Sequence, residues 1–516
     1  MEIPAPSTFR HCAAIEEIHP RWWEARWFAI LAIVLAAVPL IGPEIPPLVD
    51  VPGHMGRWYI ALTLSHSPTL QAFYDFRWAP VGNLGADLLV VPLARVIGLE
   101  PASKLVVMAI PMLTVAGMLA VAREAHGRLP PTAIIALPLA YAVPFQMGFV
   151  NFQLAQALAY LSFALWLRLG RLNQLALRAA IMIPLSFILW LAHDFGWGMF
   201  GLMAFGGELA RLRKDMLARK AIARAVIQCL PLALPAVAMA LSHRSTQGVL
   251  SDDWFNLPLK AGWILSILRD RGTTYDTLCL IPAIIPIYMA GRDRTIGFSA
   301  LLATPALFCL LAFLVLPRLL LSGAYVDLRM APAMLTLALL AVRPPADRRT
   351  ATVLALAGAV FLGMRTVGTT TSFLQRSAVQ HEELTAIDAL PRGAAVLTLV
   401  AARCEIPGAD DRLNHIAGLA IVRRDAFVNE QWALSGQQLL TIRRAAAKPF
   451  LSDPSQNIYP ESCKEHGMSL PGAVASFSRK AFDHVWTIGF PPGAAQAADL
   501  QLIWAGRHSA LYRVVP

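Results

Sequence analysis

Apolar residues in this chain gather in runs instead of following an amphipathic rhythm. Runs near 27–42, 103–122, 131–148, 151–167, 179–193, 195–210, 225–241, 275–290, 296–316, 330–342 and 350–367 carry few charges. Most are close to the roughly 17–25 residues that a bilayer-spanning helix needs. With short and proline-containing runs admitted, the pattern predicts about eleven spans. GADLLVVPLARVIG (85–98) is too short and too charged to cross, and suits an interfacial or re-entrant helix.

The pattern changes near residue 370. Beyond it come ordinary charge, turn residues and no run long enough to span. AAVLTLV (394–400), VWTIGF (485–490) and ALYRVV (510–515) read as buried strands, and RSAVQHEELTAIDAL (376–390) as a helix feeding the first of them. The predicted fold is an α-helical polytopic membrane protein with a C-terminal periplasmic α/β domain. The transmembrane domain covers 1–370, with a first outer loop at about 43–102, and the soluble domain covers 371–516.

Composition agrees. The 516 residues are 56% hydrophobic and 15% charged, where a soluble chain carries about 25% charged residues. The net charge of +11 does not indicate nucleic acid, because the basic residues sit in short clusters between apolar runs, as loop anchors do. Arg21, Trp22, Trp23 and Arg26 lead into the first run without a small-residue cleavage site, so a retained span is expected there. Six cysteines show no CxxC spacing, which argues against a metal site. Cys404 and Cys463 admit two readings, a disulfide in an oxidising periplasm or two unpaired small residues.

Loop charges set the orientation. A cytoplasmic N-terminus places Arg123, Arg128, Arg168, Arg171, Arg178, the RLRKDMLARK block (211–220), Arg292, Arg294, Arg343, Arg348 and Arg349 inside. Asp50, Asp75, Asp87, Asp194, Asp252, Asp253, Asp276 and Asp327 then fall outside. An odd number of spans puts the C-terminal domain in the periplasm.

The first outer loop opens with PPLVDVPGHMGRWYI (46–60). Asp50 could simply cap a helix whose first turn holds Pro52. A partly desolvated carboxylate at the outer mouth of a helix bundle is also a candidate general base. His54, one turn on, could orient a substrate or share the proton. Arg57 could pair with an anion or anchor in the headgroups. In SGAYVDLRMAP (322–332), Arg329 offers the planar fork that suits a lipid phosphate, and Asp327 reads as structural, closing the loop on the arginine. LAHDFGWG (191–198) puts His193 and Asp194 at an outer turn, where they could line the same cavity or Asp194 could cap the turn. Asn151 in MGFVNFQLAQALAY is expected to hydrogen-bond a neighbouring helix. No phosphate loop, dinucleotide fingerprint, HExxH or GxSxG occurs. The Asp252–Asp253 pair reads as a solvated loop.

Taken together, PLVDVPGHMGRWYI, the following YDFRWAPVGNLGADLLVVPLARVIG and the late GAYVDLR loop resemble the bacterial polytopic glycosyltransferases of the GT-C superfamily. The resemblance implies a transferase in the bacterial inner membrane that moves a sugar from a polyprenyl-phosphate donor to a lipid or glycan acceptor of the cell envelope. It implies inversion at the anomeric carbon, with Asp50 as base and Arg329 against the lipid phosphate. Many members carry two acids close together in the first loop. Here the next acid is Asp75, so a divalent metal is possible only if Asp75 or Asp87 folds back beside Asp50. A transporter or flippase for a lipid-linked or anionic substrate is the alternative, and a catalytically inactive, glycan-binding relative is a third reading.

Overall fold

The computed structural model describes residues 21–241, 251–293, 295–320, 323–402, 412–434, 438–459 and 467–516. Cys404 and Cys463 lie outside these residues. The chain is mostly helical and ends in a sheet-bearing region. Among the described residues, six helices are long and apolar enough to cross a membrane: Leu99–His126, Val150–Arg171, Leu175–Ala192, Ala218–Ala240, Thr273–Arg292 and Arg348–Ala389. Arg26–Ile41, Thr132–Gln146 and Ala300–Val315 are shorter apolar helices. The prolines that punctuate the sequence account for the shortness: Pro138 and Pro144, for example, break the 132–146 stretch into separate turns.

Eleven helices matter below: α1 (Arg26–Leu35), α2 (Val51–Thr63), α3 (Gly85–Ile97), α4 (Leu99–His126), α5 (Val150–Arg171), α6 (Leu175–Ala192), α7 (Asp194–Leu212), α8 (Ala300–Val315), α9 (Val326–Ala341), α10 (Arg348–Leu384) and α11 (Gly418–Arg424). α4 and α5 pack so closely that a Cβ on Gly117 would meet the Tyr160 Cβ at 2.7 Å. Gly206 of α7 lies equally close to Pro305 of α8. Small residues at such points let helix backbones approach where no hydrophobic force separates helix from lipid. The segment expected to be interfacial forms α3, whose buried and exposed faces alternate.

α10 crosses the position where the composition changes. It runs unbroken for 37 residues, so residue 370 lies inside a helix and the segment expected as a separate helix at 376–390 continues it. No Pro or Gly interrupts 369–384, so nothing ends the helix where the apolar run does.

The C-terminal sheet is mixed. Its strands are β2 (Ala395–Ala401), β3 (Phe427–Val428), β5 (Asn457–Ile458), β6 (His484–Ile488), β7 (Leu500–Ala505) and β8 (Ser509–Val514), in the order β3-β2-β6-β8-β7 with β5 also on β2. β2 pairs in parallel with β3, β5 and β6, while β8 runs antiparallel to β6 and β7. β2 and β6 are buried almost throughout, as continuous apolar strands should be when both faces are covered. A separate two-stranded pair ties the two halves together: β1 (Tyr74–Phe76) of the first outer loop pairs antiparallel with β4 (Leu440–Ile442).

Candidate functional site at the seam between the helical and C-terminal regions

The N-terminal end of α2 is where the two regions meet, and glycine makes the meeting possible. A Cβ on Gly418 would fall 2.4 Å from the Pro52 carbonyl oxygen, and one on Gly53 would fall 2.9 Å from the Trp432 ring. Gly56, one turn on, is equally confined by Gln431 and the Gly418 carbonyl. The Gln431 amide also donates to the Gly53 carbonyl (3.1 Å). The glycines of VPGHMG thus form the floor on which the loop before α11 rests.

Asp50 occupies the N-cap position of α2, but its side chain makes no capping hydrogen bond. Its backbone is pinned instead, donating to the Met147 carbonyl at 3.0 Å. Arg412 donates to the Pro47 and Gln146 carbonyls on either side of this junction. The carboxylate lies 3.7 Å from His415 Nε2, and Asp453 lies 3.7 Å from the same nitrogen. His54 is buried, stacked on Trp58 at 5.6 Å and packed on Trp432 at 5.0 Å. Burial, reinforced by Arg57 and His415, holds its pKa well below the ordinary histidine value. Burial also lowers that of His415, with Asp453 and the Glu430 backbone opposing.

Arg57 does not face headgroups. It is 2% exposed, and its guanidinium is committed to Asp87 (2.8 Å) and to Gln438 (2.9 Å). Asp87 also accepts from Asn151, whose amide bonds Asn83 and the Ala86 N–H, so Asn151 secures the start of α3. Asp75 and Asp87 therefore serve elsewhere. Asp75 sits in β1 beside Arg77 and Arg443, at the β1–β4 pair.

Arg329 lies in the first turn of α9, a helix where the sequence suggested an extended loop. Asp327 pairs with Lys260 at 3.0 Å, not with Arg329, because helical spacing turns residues two apart to different sides. Five lysines and arginines are buried among the described residues: Arg57, Arg178, Lys260, Arg329 and Arg365. Four are ion-paired, with Asp87, Glu208, Asp327 and Asp276. Arg329 is the exception. Its guanidinium packs on Phe149 (4.6 Å), Phe152 and Phe195 (5.3 Å each), and its Nε has no hydrogen-bond partner. One NH group contacts His193 Nε2 at 3.1 Å. His193 Nδ1 already faces the Phe195 N–H, and a neutral imidazole has one lone pair to offer two donors. The cation is thus left with donor capacity, and it lies within electrostatic reach of Asp50. Phe149 joins the two groups, since it follows the Met147–Gly148 turn that holds Asp50 and packs under Arg329.

His193, not Asp194, caps α7 through its side chain. Asp194 crowds Gly82 so tightly that a Cβ there would overlap its carboxylate. Among the described residues no three His, Cys, Asp or Glu side chains converge as metal ligands. Sequence reasoning missed His415, Trp432 and Asp453. The one signal for them was the Gly53–Gly56 spacing, which marks a helix face approached by another backbone.

No family model and no curated protein matches the chain. Among solved structures, it is similar to ArnT from Cupriavidus metallidurans bound to undecaprenyl phosphate, with 12% identity, 94% of this chain and 97% of that one covered, and a TM-score of 0.49. A likeness of that degree leaves the function to be argued from this chain's own residues.

Proposed function

We propose that this protein is a multi-pass inner-membrane glycosyltransferase of the GT-C type, with a cytoplasmic N-terminus, about eleven spans and a periplasmic C-terminal domain. It transfers a hexose or pentose from a polyprenyl-phosphate donor to a hydroxyl of a lipid or glycan acceptor. The observation that carries this reading is Arg329, a buried cation without a carboxylate partner among the described residues, boxed by three phenylalanines. Holding such a charge costs several kcal/mol unless an anion completes it. A lipid phosphate supplies that anion, and the rings suit its prenyl end.

Asp50 takes the proton of the acceptor hydroxyl as its oxygen bonds to the anomeric carbon. The bond from that carbon to the phosphate oxygen breaks with inversion, and the electron pair leaves with the polyprenyl phosphate. Charge grows on that phosphate in the transition state, where Arg329 and, through it, His193 act. His54, packed between Trp58 and Trp432, shapes the wall behind Asp50 and does not take the proton.

The test uses the full chain in nanodiscs with radiolabelled decaprenyl-phosphate hexose and pentose, following release of decaprenyl phosphate. Asp50→Asn is expected to abolish release while decaprenyl phosphate still binds, and Arg329→Gln to weaken that binding. Release unchanged in Asp50→Asn removes Asp50 from the mechanism, and undiminished binding in Arg329→Gln removes the phosphate site.

A further inference from the structure

Every turnover by a carboxylate base leaves a proton on it, and that proton has to go before the next acceptor can be activated. Asp50 is hemmed in by the Gln146–Met147 turn, by α2 and by the loop before α11. The C-terminal region sets one titratable side chain between this carboxylate and a second one. His415 is 4% exposed in its side chain, and its Nε2 is equidistant, at 3.7 Å, from Asp50 (16% exposed) and Asp453 (23% exposed). Both gaps exceed a direct hydrogen bond by about 0.5 Å, which a small rotation of either side chain closes. The imidazole is fixed from the side by Trp432, with ring centroids 4.6 Å apart, and its Cβ abuts the Gly53 position.

We propose that His415 is the exit relay for the proton that Asp50 takes, passing it to Asp453 at the more open side of the seam. This rests on the reading of Asp50 as the base. The proton moves from the Asp50 carboxyl to His415 Nε2. His415 then returns it from the same nitrogen to Asp453 by a small movement of the ring, and Asp453 releases it to solvent. No bond other than O–H and N–H changes.

The surroundings fit a carrier. The charged and titratable groups facing His415 are Asp50 and His54 from the α2 end, Arg57 behind His54, Asp453, and Glu430 with its backbone. Burial keeps the imidazole neutral at rest, so it is ready to receive a proton, and Asp453 favours the charged intermediate. Asp453 is itself held by the Gln456 amide at 2.8 Å, which fixes the acceptor end of the path. His415 does not touch the reacting atoms in this scheme. It acts through Asp50.

Rapid-quench kinetics on the full chain in nanodiscs test the relay, using whichever decaprenyl-phosphate sugar the wild type consumes. His415→Ala is expected to leave the first turnover within about twofold while slowing later turnovers about 10- to 100-fold, and added imidazole should restore most of the loss. His415→Gln, which fills the same space without titrating, should show the same slow phase, and Asp453→Asn should slow later turnovers likewise. Steady-state turnover within twofold of wild type in both His415 variants overturns the proposal. So does loss of the first turnover together with failure of imidazole rescue, the signature of a purely structural role. The two readings fail separately. A wild type that consumes no donor, or an Asp50→Asn variant that keeps its rate, refutes the transferase or the base, whereas an active wild type with indifferent His415 variants refutes only the relay.

Discussion

Replacing Gly418 by alanine puts the docking of the C-terminal region to its hardest test. The added methyl group would lie 2.4 Å from the Pro52 oxygen, 2.7 Å from the Pro52 carbonyl carbon and 2.9 Å from the Gly53 Cα. All three are backbone atoms, so no side-chain rotation relieves the clash. Restoring ordinary contact requires the loop before α11 to lift from α2 by about 1 Å, and overpacking of this kind costs about 1–3 kcal/mol. The same movement carries His415 away from Asp50. Widening the His415–Asp50 gap by about 1 Å breaks the proposed relay, and misplacement of that size lowers turnover about 100-fold. Gly418→Ala is therefore expected to unfold several degrees lower in differential scanning fluorimetry and to lose about two orders of magnitude in decaprenyl phosphate release. Gly198→Ala serves as control, since its methyl group would meet nothing within 4 Å and lies inside α7. That change should be neutral or stabilise by up to about 1 kcal/mol. If Gly418→Ala behaves like Gly198→Ala in both assays, the seam is not built as described and the site does not depend on it.

Stability should fall with acidification. His54 and His415 both have folded pKa values depressed by burial, so the unfolded chain binds more protons below the ordinary value of 6.5 and each histidine contributes a slope of up to about 1.4 kcal/mol per pH unit. The contribution is fully present above 6.5 and is lost as pH drops below it. Thermal unfolding between pH 7.5 and 5 should show that loss in the wild type and a reduced one in His54→Gln/His415→Gln; an identical slope in the double variant contradicts the assignment. Methionine at two buried arginines should act with opposite signs. Arg57→Met strands the Asp87 charge and should destabilise by about 3–5 kcal/mol. Arg329→Met removes an uncompensated charge and should raise the unfolding temperature of the ligand-free protein while weakening decaprenyl phosphate binding at least tenfold. Destabilisation by both would mean that Arg329 is structural.

The helical half was legible where apolar runs were long. Leu99–His126 and Val150–Arg171 follow from run length alone. The strands at 394–400, 485–490 and 510–515 appear within two residues of their expected places because each is a short apolar run between turn residues. α10 runs further than its apolar stretch suggests, because hydropathy falls near residue 370 while nothing in the backbone chemistry ends the helix. β1–β4 and the mixed order of the main sheet were beyond reach, since pairing between strands tens to hundreds of residues apart leaves no local periodicity.

For the site, sequence located charges but not their partners, and the partners decide what each charge does. Asp50, Arg57, Asp327 and Arg329 all stood out as ionisable residues beside apolar runs, and the roles read for them rested on spacing without knowledge of their partners. Folding brings Asp87 to Arg57 from 30 positions away and Lys260 to Asp327 from 67. Both pairs are thereby removed from the list of groups available to a substrate. Arg329 is given aromatic rings and one contested imidazole nitrogen instead. A low-dielectric interior penalises an unpaired cation far more than a paired one, and among the described residues four buried cations are ion-paired while the fifth lies among phenylalanines, which is the ground for the proposed anion site. The proposed site couples this cation to Asp50, a carboxylate within its electrostatic reach whose N-cap position is not used for capping.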